Sequence, residues 1–151
     1  MQHFTDEERG VIAQALEILG RDLRSRGSCL ESPEAVRSYL ALQLGGESNE
    51  HFAMLFLDSK HRVITFKRLF QGTIDSANVY PRVIIQEALS CNAAAVIAVH
   101  NHPSGCVEPS QADRVLTTRI RDALSLVDVR LLDHFVVGGD NVFSFAERGL
   151  L

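Results

Sequence analysis

The apolar run at residues 93–99 constrains the fold most strongly, because it leads directly into His100. A short apolar run without alternation is typical of a strand that is buried on both faces. In α/β proteins, such central strands carry functional residues at their C-terminal ends. We therefore predict a central strand here, with His100 at the point where the strand becomes a loop.

The patterns on either side of this run alternate between helix and strand. Helix starts are indicated by capping residues and by prolines at the first helical position, and they lie at Thr5, Ser32-Pro33, Pro81 and Ser110. Further strands are predicted at 52–57, 62–70, 129–137 and 142–143, with turns at 58–61 and 138–141 and a loop at 71–80. The alternation predicts an α/β fold in which a mixed sheet has helices on both faces, with residues 1–44 as an N-terminal helical segment.

Charge argues against a stand-alone nucleic-acid-binding protein. The chain has 151 residues, enough for one domain, and its 19 acidic residues outnumber its 15 lysines and arginines. The resulting net charge of -4 is unfavourable for phosphate binding, which requires clustered cations. The cluster of Arg21, Arg24 and Arg26 is better explained as the cationic end of the first helix.

Cysteine usage and hydropathy indicate the compartment. Cys29, Cys91 and Cys106 are odd in number and lack CxxC spacing, which is typical of reduced thiols. No apolar run approaches the roughly 20 residues of a membrane span. A cytoplasmic protein without membrane association is therefore expected.

The loop after the predicted central strand carries residues that suit a metal site. His100 and His102 are two positions apart, so in extended backbone both side chains leave on the same side, while Asn101 faces away. Pro103 and the residues after it break any helix, which lets the loop fold back and bring Asp113 to the same ion. Three nitrogen and oxygen ligands suit a zinc ion that keeps a fourth position for water.

Asp113 and other polar residues near this loop also have plainer explanations. Ser110 and Asp113 have the spacing of a capping box, in which the serine and the carboxylate satisfy helix-terminal amides. His51 and His134 lie in predicted strands, where histidines usually pack and form hydrogen bonds, and we leave them out of the ligand set. The thiol of Cys106, inside the loop, is an alternative fourth ligand.

The full pattern resembles the JAMM motif of the MPN-type metalloproteases. That motif is an upstream Glu, then His-x-His-Pro, six residues, and Ser-x-x-Asp, and this chain has a residue of the right type at every position. More narrowly, the chain resembles the RadC-like JAMM family, which has an old association with DNA repair. The resemblance covers roughly residues 46–151 and is carried by Leu57-Asp58, residues 92–95, 100–105 and 132–134, and the ending 144–151.

The resemblance implies a JAMM/MPN (cytidine-deaminase-like) architecture for a catalytic domain at residues 45–151. It implies zinc on His100, His102 and Asp113, Glu50 as the upstream acid and Ser110 as the motif serine. A dication lowers the pKa of a bound water to roughly 7, and Glu50 is then placed to accept the proton. The implied function is a zinc-dependent hydrolase, a metallopeptidase or isopeptidase acting on a peptide or protein amide, with Ser110 as a donor to the developing oxyanion.

Two other functions are weighed against the zinc-dependent hydrolase. One alternative keeps the fold without the chemistry, as a non-catalytic MPN-type scaffold or a DNA-repair-associated binding module. A zinc nucleobase deaminase is disfavoured, since that class shows H-x-E and P-C-x-x-C, which are absent. The partners that hold the outer nitrogens of the two histidines are expected among Ser104, Asp133 and loop carbonyls.

Overall fold

The computed structural model describes residues 4–25, 27–28, 31–73 and 77–151. Over these residues the chain forms four helices and five strands in the order α1 (Asp6–Ser25), α2 (Pro33–Leu44), β1 (His51–Leu57), β2 (Val63–Gln71), α3 (Pro81–Ser90), β3 (Ala95–Asn101), α4 (Gln111–Ser125), β4 (Arg130–Gly138) and β5 (Asn141–Ser144). Arg26, Cys29 and part of the predicted loop at 71–80 lie outside the described residues. Every predicted helix and strand is present, with ends displaced by a few residues.

The five strands form one mixed sheet in the order β2-β1-β3-β4-β5. β3 is antiparallel to β1 and parallel to β4, and the outer pairs are antiparallel. β3 lies in the middle, and all its residues are buried, which confirms the predicted central strand. It begins at Ala95 because the preceding residues end α3: the N–H of Ala93 donates to the carbonyl of Ala88.

Helices cover both faces of the sheet, as predicted. In β1, Ala53, Leu55 and Leu57 belong to a core cluster with α1 and α2, whereas the alternate residues of the strand belong to a second cluster with α3 and α4. The same alternation in β3 places Val96 and Ala98 in the second cluster. His100 continues this series, so its side chain lies on the face covered by α3 and α4.

Local signals at the N-terminus form the contacts that they predict. The N–H of Thr5 donates to the Glu8 carboxylate at 2.7 Å, and the N–H of Glu8 donates to the Thr5 hydroxyl at 3.2 Å, so the capping box is confirmed. α2 places Leu40 and Leu44, both fully buried, in the same core cluster as the sheet.

The division of the chain into segments 1–44 and 45–151 stays a prediction. None of the described helices combines the length and apolarity needed to cross a membrane.

Candidate metal centre

The two motif histidines leave the sheet together at the end of β3. His100 is the last but one residue of the strand, and the N–H of His102 still donates to the carbonyl of Val137 on β4 at 2.8 Å. The backbone is therefore extended through both positions, which places both imidazoles on one side of the strand. The loop then turns at Gly105, whose φ of 85° suits glycine.

Three side chains converge at this point, as predicted from the residue types and the family resemblance. The Nε2 atoms of His100 and His102 are 3.0 Å apart, and they lie 3.3 and 3.2 Å from the two carboxylate oxygens of Asp113. Within the described part of the chain, these three residues form the one cluster of His, Cys, Asp and Glu side chains close enough to hold a metal ion. Cys106 is exposed and lies outside the cluster, so the structure does not favour a thiolate ligand.

The separation of the two imidazole nitrogens is close to that of two ligands on a tetrahedral ion. Ligands at about 2.0–2.1 Å from zinc, set at tetrahedral angles, lie about 3.3 Å from one another. The two Nε2 atoms are 3.0 Å apart, close to this spacing, and a carboxylate oxygen of Asp113 lies within 4.8 Å of both. The His-His-Asp cluster can therefore hold a metal, and its nitrogen and oxygen donors are of the type that zinc accepts.

The capping box and the ligand position of Asp113 occur together. The N–H of Asp113 donates to the Ser110 hydroxyl at 3.0 Å, and the N–H of Ser110 donates to Oδ2 of Asp113 at 2.8 Å. The same Oδ2 atom lies 3.2 Å from Nε2 of His102. The cap therefore orients the carboxylate toward the histidines, and both explanations of this residue hold at once.

Hydrogen bonds at the outer nitrogens hold both histidines. Nδ1 of His102 lies 2.7 Å from the carbonyl oxygen of Cys106, which confirms the expectation of a loop carbonyl. Nδ1 of His100 lies 2.8 Å from Nε2 of His134, a partner that the sequence analysis did not consider. The expected partner Asp133 instead accepts from the Ser144 hydroxyl and the N–H of Ala146, so it joins β4 to the chain beyond β5.

His134 is a buried neighbour of the centre. It is fully buried, its ring stacks on Phe145 at 4.8 Å, and it meets Phe52 edge-on at 5.6 Å. The prediction that this histidine packs and forms hydrogen bonds outside the ligand set agrees with these contacts. The sequence signal for its role was the histidine in Leu132-Asp133-His134, on a strand that runs beside β3.

Glu50 precedes β1 and is nine-tenths buried. Its N–H donates to the carbonyl of Thr73, and its own carbonyl accepts from the N–H of Gly72. The residues on either side are held by one side chain: Asn101 accepts from the N–H of His51 at 2.7 Å and donates to the carbonyl of Asn49 at 3.0 Å. Asn101 faces away from the histidines, as predicted, and from that side it fixes the segment that carries Glu50.

A cavity of about 190 Å³ brings the five motif residues together. Its polar lining consists of Glu50, His100, His102, Ser110 and Asp113, and the remaining lining includes Phe52, Val79 and Leu116. Charged and polar groups in such a partly apolar setting interact more strongly than they would in water. All five site residues named from the sequence therefore line one cavity.

The site perturbs the pKa values of its ionisable groups. Burial alone raises the pKa of Asp113, but the neighbouring imidazoles of His100 and His102 outweigh it and hold the pKa far below its usual range. The hydrogen bond to Asp113 raises the pKa of His102. Burial, more than the nearby charge of His100, holds the pKa of His134 well below its usual value.

Comparisons with known proteins give close relatives. Residues 30–150 match the family described as RadC-like JAB domain. A UPF0758 protein of Ectopseudomonas mendocina is 59% identical over 141 residues, which cover 93% of this chain and 62% of the relative. A UPF0758 protein of Vibrio cholerae is 56% identical over 144 residues, which cover 95% of this chain and 90% of the relative. The chain thus spans about 62% of the length of the first of these relatives.

Proposed function

Because the chain belongs to the RadC-like JAB domain family, and because its His-His-Asp cluster can hold a metal, we propose that it is a zinc-dependent hydrolase that cleaves amide bonds. The observation that carries this proposal is the shared cavity, in which Glu50 and Ser110 lie beside the three metal-binding side chains. A metal that served only to stabilise the fold would be surrounded by four protein ligands and would need no such neighbours.

The donor set supports zinc. Both imidazoles present Nε2, and an oxygen of Asp113 completes three ligands, which is the number that catalytic zinc sites use. Zinc bound here would supply Lewis acidity and a water molecule with a pKa of roughly 7.

Glu50 is the proposed proton acceptor. It lines the cavity with the ligands, and its backbone is fixed by hydrogen bonds on both sides. A carboxylate held in this way can take a proton from the attacking water and pass it to the leaving amine, which typically contributes about 10² to 10⁴-fold to a rate.

Ser110 is the proposed donor to the oxygen of the scissile carbonyl. Its Oγ atom accepts from the N–H of Asp113, and a hydroxyl that accepts one hydrogen bond can still donate its own proton. A donor aimed at developing negative charge in an apolar cavity is worth more than the same donor in water. Ser110 therefore has a role in catalysis as well as in capping α4.

The proposed substrate is a peptide or protein, which makes the protein a metallopeptidase or isopeptidase. The acidic net charge of -4 speaks against a nucleic-acid substrate. Amide hydrolysis is what the resemblance to the JAMM metalloproteases implies, and the match of residues 30–150 to the RadC-like JAB domain family is consistent with it.

The first test is the metal content of the purified protein. Inductively coupled plasma mass spectrometry on protein prepared without an affinity metal column should find about one zinc per chain in the wild type. The His100→Ala/His102→Ala double variant should contain none. A wild type that stays metal-free after zinc is added would refute the proposal and direct attention to a scaffold or binding role.

The second test separates metal binding from proton transfer. Glu50→Gln should keep zinc and lose hydrolysis in a screen of peptide and isopeptide substrates. Glu108→Gln is the matched control, because this exposed carboxylate lies in the loop between β3 and α4, near the metal cluster in sequence but outside it. Equal loss of activity in both variants, or full activity in Glu50→Gln, would contradict the role of Glu50.

A further inference from the structure

A chain of hydrogen bonds runs behind the candidate metal centre, from α4 to β3. The Thr117 hydroxyl lies 2.6 Å from the carbonyl oxygen of Asp113 and 2.6 Å from Nδ1 of His134. Nε2 of His134 in turn lies 2.8 Å from Nδ1 of His100. From this geometry we infer that Thr117 and His134 are positioning residues that hold His100 in the tautomer able to bind a metal. The inference rests on the proposed zinc binding and assigns residues outside the motif.

The number of available protons fixes which group donates in each of these hydrogen bonds. A carbonyl oxygen can only accept, so the single hydroxyl proton of Thr117 goes to the carbonyl of Asp113. The contact with Nδ1 of His134 then requires that this nitrogen carries a proton and donates it to the hydroxyl oxygen. With that proton on Nδ1, the Nε2 atom of His134 keeps its lone pair and accepts, and Nδ1 of His100 is the donor across the 2.8 Å contact.

The consequence appears at the other nitrogen of His100. With the proton on Nδ1, Nε2 keeps its lone pair, and this atom faces His102 and Asp113 at 3.0 and 3.3 Å. The opposite tautomer would place a proton at the point where the metal ligands converge. This chain of hydrogen bonds, the Thr117–His134 relay, therefore selects the tautomer of His100 whose Nε2 atom can bind a metal.

Burial protects these hydrogen bonds from competition with water. His134 is fully buried, His100 is 2% exposed and Thr117 is 3% exposed. The rings of Phe52 and Phe145 pack against His134 and limit its rotation. Water cannot readily reach these atoms to stabilise the alternative arrangement.

The relay also couples two of the ligands mechanically. It begins at the backbone carbonyl of Asp113 and ends on the ring of His100, so the side chains of Thr117 and His134 join α4 to β3 behind the centre. His102 is held differently, by the carbonyl of Cys106 in its own loop. The orientation of His100 thus depends on the core, and that of His102 depends on the loop.

The test uses Thr117→Val, which keeps the shape of the side chain and removes the hydroxyl. Thr117→Ser keeps the hydroxyl and should restore wild-type behaviour. Thr118→Val is the matched control, because this neighbouring threonine is exposed and its hydroxyl donates to the carbonyl of Arg114 one turn earlier in the same helix. Long-range ¹H–¹⁵N spectra of metal-free protein at mildly alkaline pH report which ring nitrogen of His100 carries the proton, and competition with a chromophoric chelator reports zinc affinity.

We expect the proton on Nδ1 of His100 in the wild type, Thr117→Ser and Thr118→Val. Thr117→Val should show a mixture of tautomers and bind zinc about 10 to 100-fold more weakly, the usual effect of losing a partner behind a metal ligand. A proton on Nε2 in the wild type, or an unchanged tautomer and zinc affinity in Thr117→Val, would overturn the inference.

A second pair of variants covers the case in which Thr117→Val does not fold. His134→Gln offers an amide oxygen to Nδ1 of His100 and should lose less zinc affinity than His134→Leu, which offers no acceptor. Equal affinities in the two would refute the relay. Failure of the wild type to bind zinc would refute the proposed function instead, while the tautomer of His100 in metal-free protein would still test the relay.

Discussion

Replacing Asn101 with alanine should weaken the fold next to Glu50 without removing any metal ligand. The side chain is 2% exposed and makes two hydrogen bonds, from the N–H of His51 and to the carbonyl of Asn49. His51 is buried, so its N–H would be left unsatisfied at a cost of about 1–3 kcal/mol. Asn49 is only half-buried and its carbonyl can reach water, so losing that bond adds about 1 kcal/mol.

The expected loss is therefore about 2–4 kcal/mol in the free energy of unfolding, a large share of the 5–15 kcal/mol typical of a domain. For a chain of 151 residues each kcal/mol lowers Tm by about 2–4 °C, so a drop of roughly 4–16 °C should accompany it. Urea unfolding of metal-free protein measures the free energy directly, and chelator must be present because bound zinc would add stability of its own.

Hydrogen exchange locates the effect. The amide of His51 should exchange much faster in Asn101→Ala, whereas amides at the far end of β1 should change in proportion to global stability. Asn141→Ala, at an exposed position, is the control and should stay within about 0.5 kcal/mol of the wild type. A loss below about 0.5 kcal/mol in Asn101→Ala, with an unchanged His51 amide, would refute the idea that this side chain clamps the Glu50 segment.

Three further perturbations follow from the geometry of the centre. Asp113→Asn keeps an oxygen that can accept from the N–H of Ser110, so the free energy of unfolding in urea should change by less than about 1 kcal/mol. Zinc affinity, measured by competition with a chelator, should fall at least about 10-fold. Equal zinc affinity would contradict the ligand assignment. Cys106→Ser should leave the zinc content measured by mass spectrometry unchanged, because the contact of Cys106 with the site is through its carbonyl; loss of zinc would instead indicate a thiolate ligand. Gly138→Ala would place Cβ 2.5 Å from the carbonyl oxygen of Gly105, so the loop between β3 and α4 must shift. The free energy of unfolding in urea should then fall by about 1–3 kcal/mol. An unchanged urea midpoint would mean that the loop adapts without cost.

Features that depend on neighbours along the chain could be predicted from the sequence. The capping boxes at Thr5 and Ser110 each involve residues three apart, so their contacts follow from spacing alone. The buried run before His100 became the central strand, because continuous apolar character is a property of the strand itself. The convergence of His100 and His102 likewise follows from the alternation of side chains along extended backbone.

Asp113 shows where local reasoning stops. Its spacing from Ser110 predicts a cap, and the cap is present. That its carboxylate also meets both histidines depends on how the loop folds back between β3 and α4, which brings residues 11 and 13 positions apart into contact. Residue types and the family resemblance indicated this contact, but spacing alone did not require it.

The partners behind the site were decided by tertiary structure alone. His134 lies 34 residues from His100 in the chain, and Asn101 lies about 50 residues from the segment that it clamps. Periodicity tells which face of a strand a side chain occupies, but the residue opposite it depends on strand order and register, here β1 antiparallel and β4 parallel to β3. The sequence by itself determined the elements and the residues able to bind a metal. Only the tertiary structure, through strand order, register and the packing of α4 on the sheet, decided which buried hydrogen bonds orient those residues, because such bonds form between segments that are far apart along the chain.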